Sequence, residues 1–275
     1  MMLVTKVETM PQYHPISFER HGNQQWKRYS NYLFAATDAI APLTAPELAK
    51  AVLSLAIAFV PVNDRFTVVA VQGLQPNQNL LVLPDGRWAG DYIPARYRGH
   101  PFALLDSTDG QQVLCIDEAG DHLTSEGGEH FFDEPGKPSQ VINELLTFLG
   151  HVKTADAATR QMCDVLQQYQ LIVPWPLTVQ TAEGDKTVEG LFRVDEAAFN
   201  ALPAEALFHI RQAGALPLVY CQLLSMQNIA KLSQLAVLHA QIQAQQAAAT
   251  PAAALSQGAE LNLEFLKQGD TLRFS

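Results

Sequence analysis

Fourteen residues, Arg87 to His100, hold three arginines, one tryptophan, two tyrosines, an aspartate and a histidine. That mixture suits recognition better than bond-breaking. Trp88 and Tyr92, spaced around Gly90, can form a flat platform for a sugar, an aromatic side chain or a peptide. Arg96 and Arg98 can meet a carboxylate or phosphate, because the planar guanidinium fork gives two aligned hydrogen bonds. If Arg87 to Ile93 is a strand, alternation puts Arg87, Ala89, Asp91 and Ile93 on one face and Trp88, Gly90 and Tyr92 on the other. The candidate ligand contacts are therefore Arg87, Trp88, Tyr92, Arg96, Tyr97 and Arg98. The plainer alternative makes the aromatics cross-strand packing and the arginines surface cations. His21, in Ser17-Phe-Glu-Arg-His-Gly22, joins the candidates as a polar anchor, against the plainer role of a turn residue before glycine.

Other chemistry is thinly represented. Residues 117–134 hold seven carboxylates, two histidines and no Lys or Arg, and so carry −7 of the formal net charge of −10. The spacing fits neither an EF-hand loop nor HExxH, so a solvated acidic loop is expected and no metal is assigned. Cys115 has Asp117 two residues on and His122 nearby. It lies in an apolar run where a thiol packs as a small hydrophobe, and no oriented base is identified. The chain has no GxSxG, GxGxxG or P-loop pattern. No catalytic residue and no cofactor are assigned.

Composition narrows the classes further. Lys and Arg number 18 against 28 Asp and Glu, which argues against a nucleic-acid binder. No run supplies the roughly 20 apolar residues of a membrane span. The first residues lack an apolar signal core, and Cys115, Cys163 and Cys221 are an odd, widely spaced set. A reduced, cytoplasmic location is expected.

The elements that must position these residues read as follows. Thr44 and Glu47 form a capping box before an apolar face of Leu48, Val52, Leu55 and Phe59, which predicts a helix to about Phe59. Strands are expected at 66–71, then at 79–83 and 87–93 around Pro84-Asp85-Gly86, and at 102–107 and 112–117 around Thr108-Asp109-Gly110. Residues 118–137 read as a long loop. Helices are expected at 139–149 and 155–169, a hairpin over 177–181 and 187–194, a short helix capped by Asp195, and another opened by Pro203. From Pro217 a long helix begins, and between Gln212 and Ala259 Lys231 is the sole Lys, Arg, Asp or Glu. The fold class is α+β: a mostly antiparallel sheet packed with helices, the last one long. The expected organisation is one unit over 1–238, a Gln/Ala-rich extension and linker over 239–259, and a hairpin-like tail over 260–275.

Several stretches resemble the SapC family of bacterial proteins. They are Ser17–Gly22, Tyr32–Ala35, Pro42–Ala45, Gly86–Pro94, Pro101–Leu104, Cys115–Asp117, Gly190–Glu196, Ala215–Ser225, and the terminal Phe265-Leu266 with Gly269–Thr271. The resemblance implies an accessory role in surface-layer export or outer-membrane uptake, and relatives lie beside genes resembling flavin-dependent halogenases and TonB-dependent receptors. It supplies no catalytic residues. The leading expectation is a non-enzymatic binding or adaptor protein with a protein, peptide or small-molecule partner, able to self-associate through its last helix. The alternative is an enzyme or enzyme-assisting subunit with a pocket near Arg87–His100.

Overall fold

The computed structural model describes residues 11–181 and 184–249. The linker expected beyond Ala249 and the terminal hairpin lie outside them. At the centre is a five-stranded antiparallel sheet in the order Ile172–Pro174, Phe192–Val194, Ala56–Val62, Arg65–Val71, Ile40–Pro42. Strands from both halves of the chain thus share one sheet, in an α+β arrangement. Its middle hairpin turns through Asn63 and Asp64, both at positive φ (49° and 62°). Such a two-residue turn matches the twist of the strands it joins.

Ala56–Val62 corrects the expectation of a helix running to Phe59. The helical part is a 3₁₀ turn, Ala45–Glu47, and one α turn, Leu48–Ala51. Ile57, Phe59, Val68 and Ala70 face one core with Cys163, Leu166, Leu218 and Val219. Ala56, Ala58, Val69 and Val71 face a second core with Leu80, Trp175 and Leu232. A strand buried on both faces is apolar at every position, so its period of two is hidden and short helical spacings fit by accident.

The helix Gln140–Gln168 is continuous, where two were expected. Ser139 caps it, accepting from Ile142 N. Its 29 residues span about 43 Å at the usual rise. That length reaches from the main core, at Cys163 and Leu166, to a separate one where Ile142 meets Trp26, Phe102, Ile116 and Phe131. This separate core lies under a three-stranded sheet, Tyr13–Pro15, Gln112–Asp117 and Phe102–Asp106, whose hairpin closes as expected with Gly110 at φ 79°.

Residues 118–137 are more ordered than a solvated loop. Leu123–Thr124 and Glu129–His130 pair on either side of Gln25–Trp26, and Phe132–Glu134 pairs with Lys137–Pro138. The late hairpin is Leu177–Thr181 with Gly184–Val188, while Phe192–Val194 separates from it to join the central sheet. Asp195 caps Glu196–Asn200 through Ala198 N, and Ala204–Gln212 follows Pro203.

The last helix begins at Leu216, tightens into a 3₁₀ turn at Met226–Asn228, and continues as Ile229–Ala249. Val219 packs on the first face of the central sheet and Leu232 on the second. The 3₁₀ turn therefore carries the chain from one face to the other. Among the described residues, no helix is long and apolar enough to cross a membrane.

Candidate functional site

Three polar arrangements organise the residues singled out above. The first uses Ser17–Gly22, a single helical turn. Ser17 caps it, its hydroxyl accepting from Arg20 N. His21 is fully buried: its Nδ1 accepts from Ser17 N at 3.3 Å, which leaves the proton on Nε2 to donate to Glu118 Oε1 at 3.1 Å. Arg20 adds a two-pronged contact to the same carboxylate, at 2.7 and 2.5 Å. Those hydrogen bonds, Arg20 first, hold Glu118 below the usual carboxylate range. Arg28 pairs likewise with Glu129. Asp117 accepts from Gln12 N at 2.8 Å, so three of the seven acids in 117–134 fasten the amino-terminal segment. His21 is a tie between segments, hydrogen-bonded to Ser17 and Glu118 and packed on Phe131.

The second arrangement centres on Glu47. The capping box forms as read, with Thr44 N and Thr44 Oγ1 donating to Glu47 Oε2 at 2.8 and 2.7 Å. The other oxygen accepts from Tyr92 Oη at 3.0 Å and Ala95 N at 2.7 Å. A buried carboxylate with four donors is satisfied, and it pins the Tyr92–Ala95 chain onto the capped turn. Burial, then the Glu47 charge, pushes the Tyr92 phenol up. Trp88 Nε1 donates to Tyr92 O at 3.1 Å. Arg98 lies over the Tyr92 and Phe148 rings. Tyr97, buried, donates towards Gln72 Oε1 (2.7 Å) and Asp38 Oδ2 (3.0 Å), and its phenol too is raised by burial and by Asp38.

This corrects the strand expected over Arg87–Ile93 and its division into faces. Only Val82 and Trp88 form a bridge. The turn is as expected, with Gly86 at φ 85° and Gly86 N donating to Leu83 O. Pairing stops there because Asn79 Oδ1 accepts from Leu81 N, and Asn79 Nδ2 reaches Ala35 O, bending the first arm out of line. Trp88, Tyr92, Tyr97 and Arg98 do come together, but the aromatics pack on the cores instead of standing free as a platform. Arg87 pairs with Asp85 on the exposed turn, and Arg96 is exposed.

The third arrangement escaped the sequence reading altogether. His100 Nε2 lies 2.9 Å from His122 Nε2, and its ring stacks on Phe34 with centroids 3.7 Å apart. Burial, helped by His122 and opposed by Asp117, lowers His100 to about 4. Equally illegible was the seam under the last helix. Gln222 Oε1 accepts from Val194 N at 2.9 Å while Nε2 donates to Ile57 O at 3.2 Å. Ser225 Oγ accepts from Ile57 N, and Asn228 Nδ2 donates to Val52 O and Leu55 O. Polar residues every third position inside an apolar helix were the available signal.

Beside that seam lies a cavity of about 400 Å³, bordered by Ser54, Leu55, Leu81, Gly90, Asp91, Lys231 and Leu232 among others. A wider groove of about 590 Å³ runs along the start of Gln140–Gln168, lined by Lys137, Phe148 and His151 among others, and Arg98 lies over its Phe148 ring. No group of three or more His, Cys, Asp or Glu among the described residues could hold a metal. Cys115, Cys163 and Cys221 are all raised by burial, Cys163 to about 12, which keeps them as thiols at neutral pH.

A comparison with the curated proteins found no match, and neither did one with the solved structures. The SapC family model matches residues 16–232, which takes in the Ser17–Gly22 turn, the Glu47 arrangement and the seam through Asn228. The chain belongs to the SapC family.

Proposed function

We propose that this protein is a cytoplasmic, non-enzymatic binding or adaptor protein serving surface-layer export or outer-membrane uptake. The pathway comes from what SapC membership implies. The binding reading is carried by one observation: large apolar side chains stand in solvent around the charge-poor last helix, with Leu53 74% exposed, Leu224 62% and Tyr220 54%. Surface apolar residues grouped around one element mark protein contacts more often than chance placement does. Packing of the Trp88 and Tyr92 rings against the main core supports the same reading, because it takes away the free-standing aromatic platform that a carbohydrate would stack on. The test is capture of partners by the full chain, read by native mass spectrometry, beside a Leu53→Asp/Leu224→Asp variant. A component of an export or uptake apparatus should be retained by the parent and lost by the variant. Equal capture by both would defeat the assignment of this surface.

A second reading, a ligand-binding or enzyme-assisting subunit, is favoured by the cavity that Ala89, Gly90 and Asp91 border.

A further inference from the structure

Four buried side-chain atoms among the described residues lack a hydrogen-bond partner: Gln24 Oε1, Trp26 Nε1, Ser54 Oγ and Gln72 Nε2. Of these residues only Ser54, itself 7% exposed, borders the 400 Å³ cavity. An orphaned buried hydroxyl costs about 1–3 kcal/mol, so its presence at a cavity wall points to a group that arrives from outside. Much of the wall is apolar, with Leu55, Leu81 and Leu232 buried along it, while Asn228 and Gln234 add polar lining. Gly90, also on the lining, lets the backbone pass close to the Trp88 ring. A Cβ there would meet Trp88 Nε1 at 2.9 Å, and that ring is already fixed by its bond to Tyr92 O.

Two charges of opposite sign complete the lining. Asp91 is exposed and makes no ion pair or hydrogen bond among the described residues. Lys231 makes a single long contact, 3.4 Å to Leu53 O. It is also the only charged residue that an arm of 48 residues retains. The two line the same cavity without pairing with each other, so each is available to an opposite charge.

We infer that this cavity binds a zwitterion with an apolar body: a free amino acid with a large apolar side chain, or a dipeptide of such residues. The ammonium group faces Asp91, the carboxylate faces Lys231, and the apolar body fills the space lined by Leu55, Leu81 and Leu232. The volume lies at the lower end of the range for small-ligand pockets. The inference rests on the ligand-binding reading of this face and not on the partner-docking one.

Calorimetric titration of the full chain tests it with four probes: L-leucine, dileucine, 4-methylpentanoate (leucine without its amine) and 3-methylbutylamine (leucine without its carboxylate). Leucine, dileucine or both should bind at least tenfold tighter than either singly charged analogue, and their ratio distinguishes the two sources. Asp91→Asn should weaken the zwitterion about tenfold and leave 4-methylpentanoate unchanged. Lys231→Gln should weaken both zwitterion and 4-methylpentanoate. Both residues are exposed, so neither change threatens folding, and Gln234→Trp at the mouth should block every probe. Equal affinity for the singly charged analogues would overturn the zwitterion while leaving a ligand site in place. Binding indifferent to Gln234→Trp, or no binding by any probe, would overturn the site as well.

Discussion

The seam beneath the last helix and the cavity beside it are neighbours with opposite polar economies. In the seam, Gln222, Ser225 and Asn228 are buried, and each meets backbone of the central strand or of the loop before it. The Gln222 amide joins Phe192–Val194 to Ala56–Val62 where the two strands share a single pair, Phe192 with Phe59. In the cavity, the Ser54 hydroxyl is also buried and has no hydrogen-bond partner among the described residues. Burial alone therefore does not separate structure from function in this molecule. What separates them is whether the buried group has been answered from within the chain.

The sharpest way to break that comparison is Gln222→Leu. Volume is nearly kept, but Val194 N and Ile57 O lose their partners in a region that water does not reach. Two orphaned backbone groups at about 1–3 kcal/mol each predict a loss of about 3 kcal/mol in urea unfolding, with the slope unchanged. A loss below about 1 kcal/mol would mean that the amide is decoration and the seam is held by apolar packing.

Between the two extremes stands His100, whose contact with His122 is satisfied in one protonation state only. Two ring nitrogens 2.9 Å apart need one proton between them. The folded chain holds His100 at about 4 against an ordinary 6.5, so the unfolded chain binds more protons between those values. Stability must then fall as pH drops through that window. The full shift corresponds to about 3 kcal/mol, and partial solvent access reduces the expected loss to about 2. Thermal unfolding of the parent and of His100→Gln at pH 7 and pH 4 isolates this part, because Glu118 and the other carboxylates titrate alike in both. Parallel profiles would place the histidine pair with the cavity, as a contact the fold does not depend on.

How much of this was legible follows the same division. Local chemistry could be read from spacing: the Thr44–Glu47 box, the Asp195 cap, and the turns at Gly86 and Gly110 all form where residue types demand them. Ala56–Val62 could not, because covering both faces of a strand erases the alternation that would identify it. The candidate site was half legible. Tyr92 and Arg98 do meet, Arg98 donating to Tyr92 Oη, but that phenol is held in place by Glu47, forty-five residues away in sequence from Tyr92. Lys231 stood out as a lone charge, yet nothing local connects it to Asp91, since the last helix reaches the cavity only by crossing from one sheet face to the other.

The smallest expected effect is the most discriminating. Ser54→Ala removes a buried hydroxyl that has no partner, so the desolvation it suffered on folding disappears with it. Stability should stay within about 0.5 kcal/mol of the parent or rise by up to about 1 kcal/mol. A serine of the seam type would behave oppositely. Ser225→Ala, which strips Ile57 N of its acceptor, should cost about 1–3 kcal/mol. Differential calorimetry on the two variants compares like with like, one hydroxyl deleted from each. If Ser54→Ala is instead as damaging as Ser225→Ala, the Ser54 hydroxyl has a partner inside the protein and the contrast between seam and cavity collapses. If it is neutral while zwitterion affinity falls, then that hydroxyl serves the occupant of the cavity and not the fold.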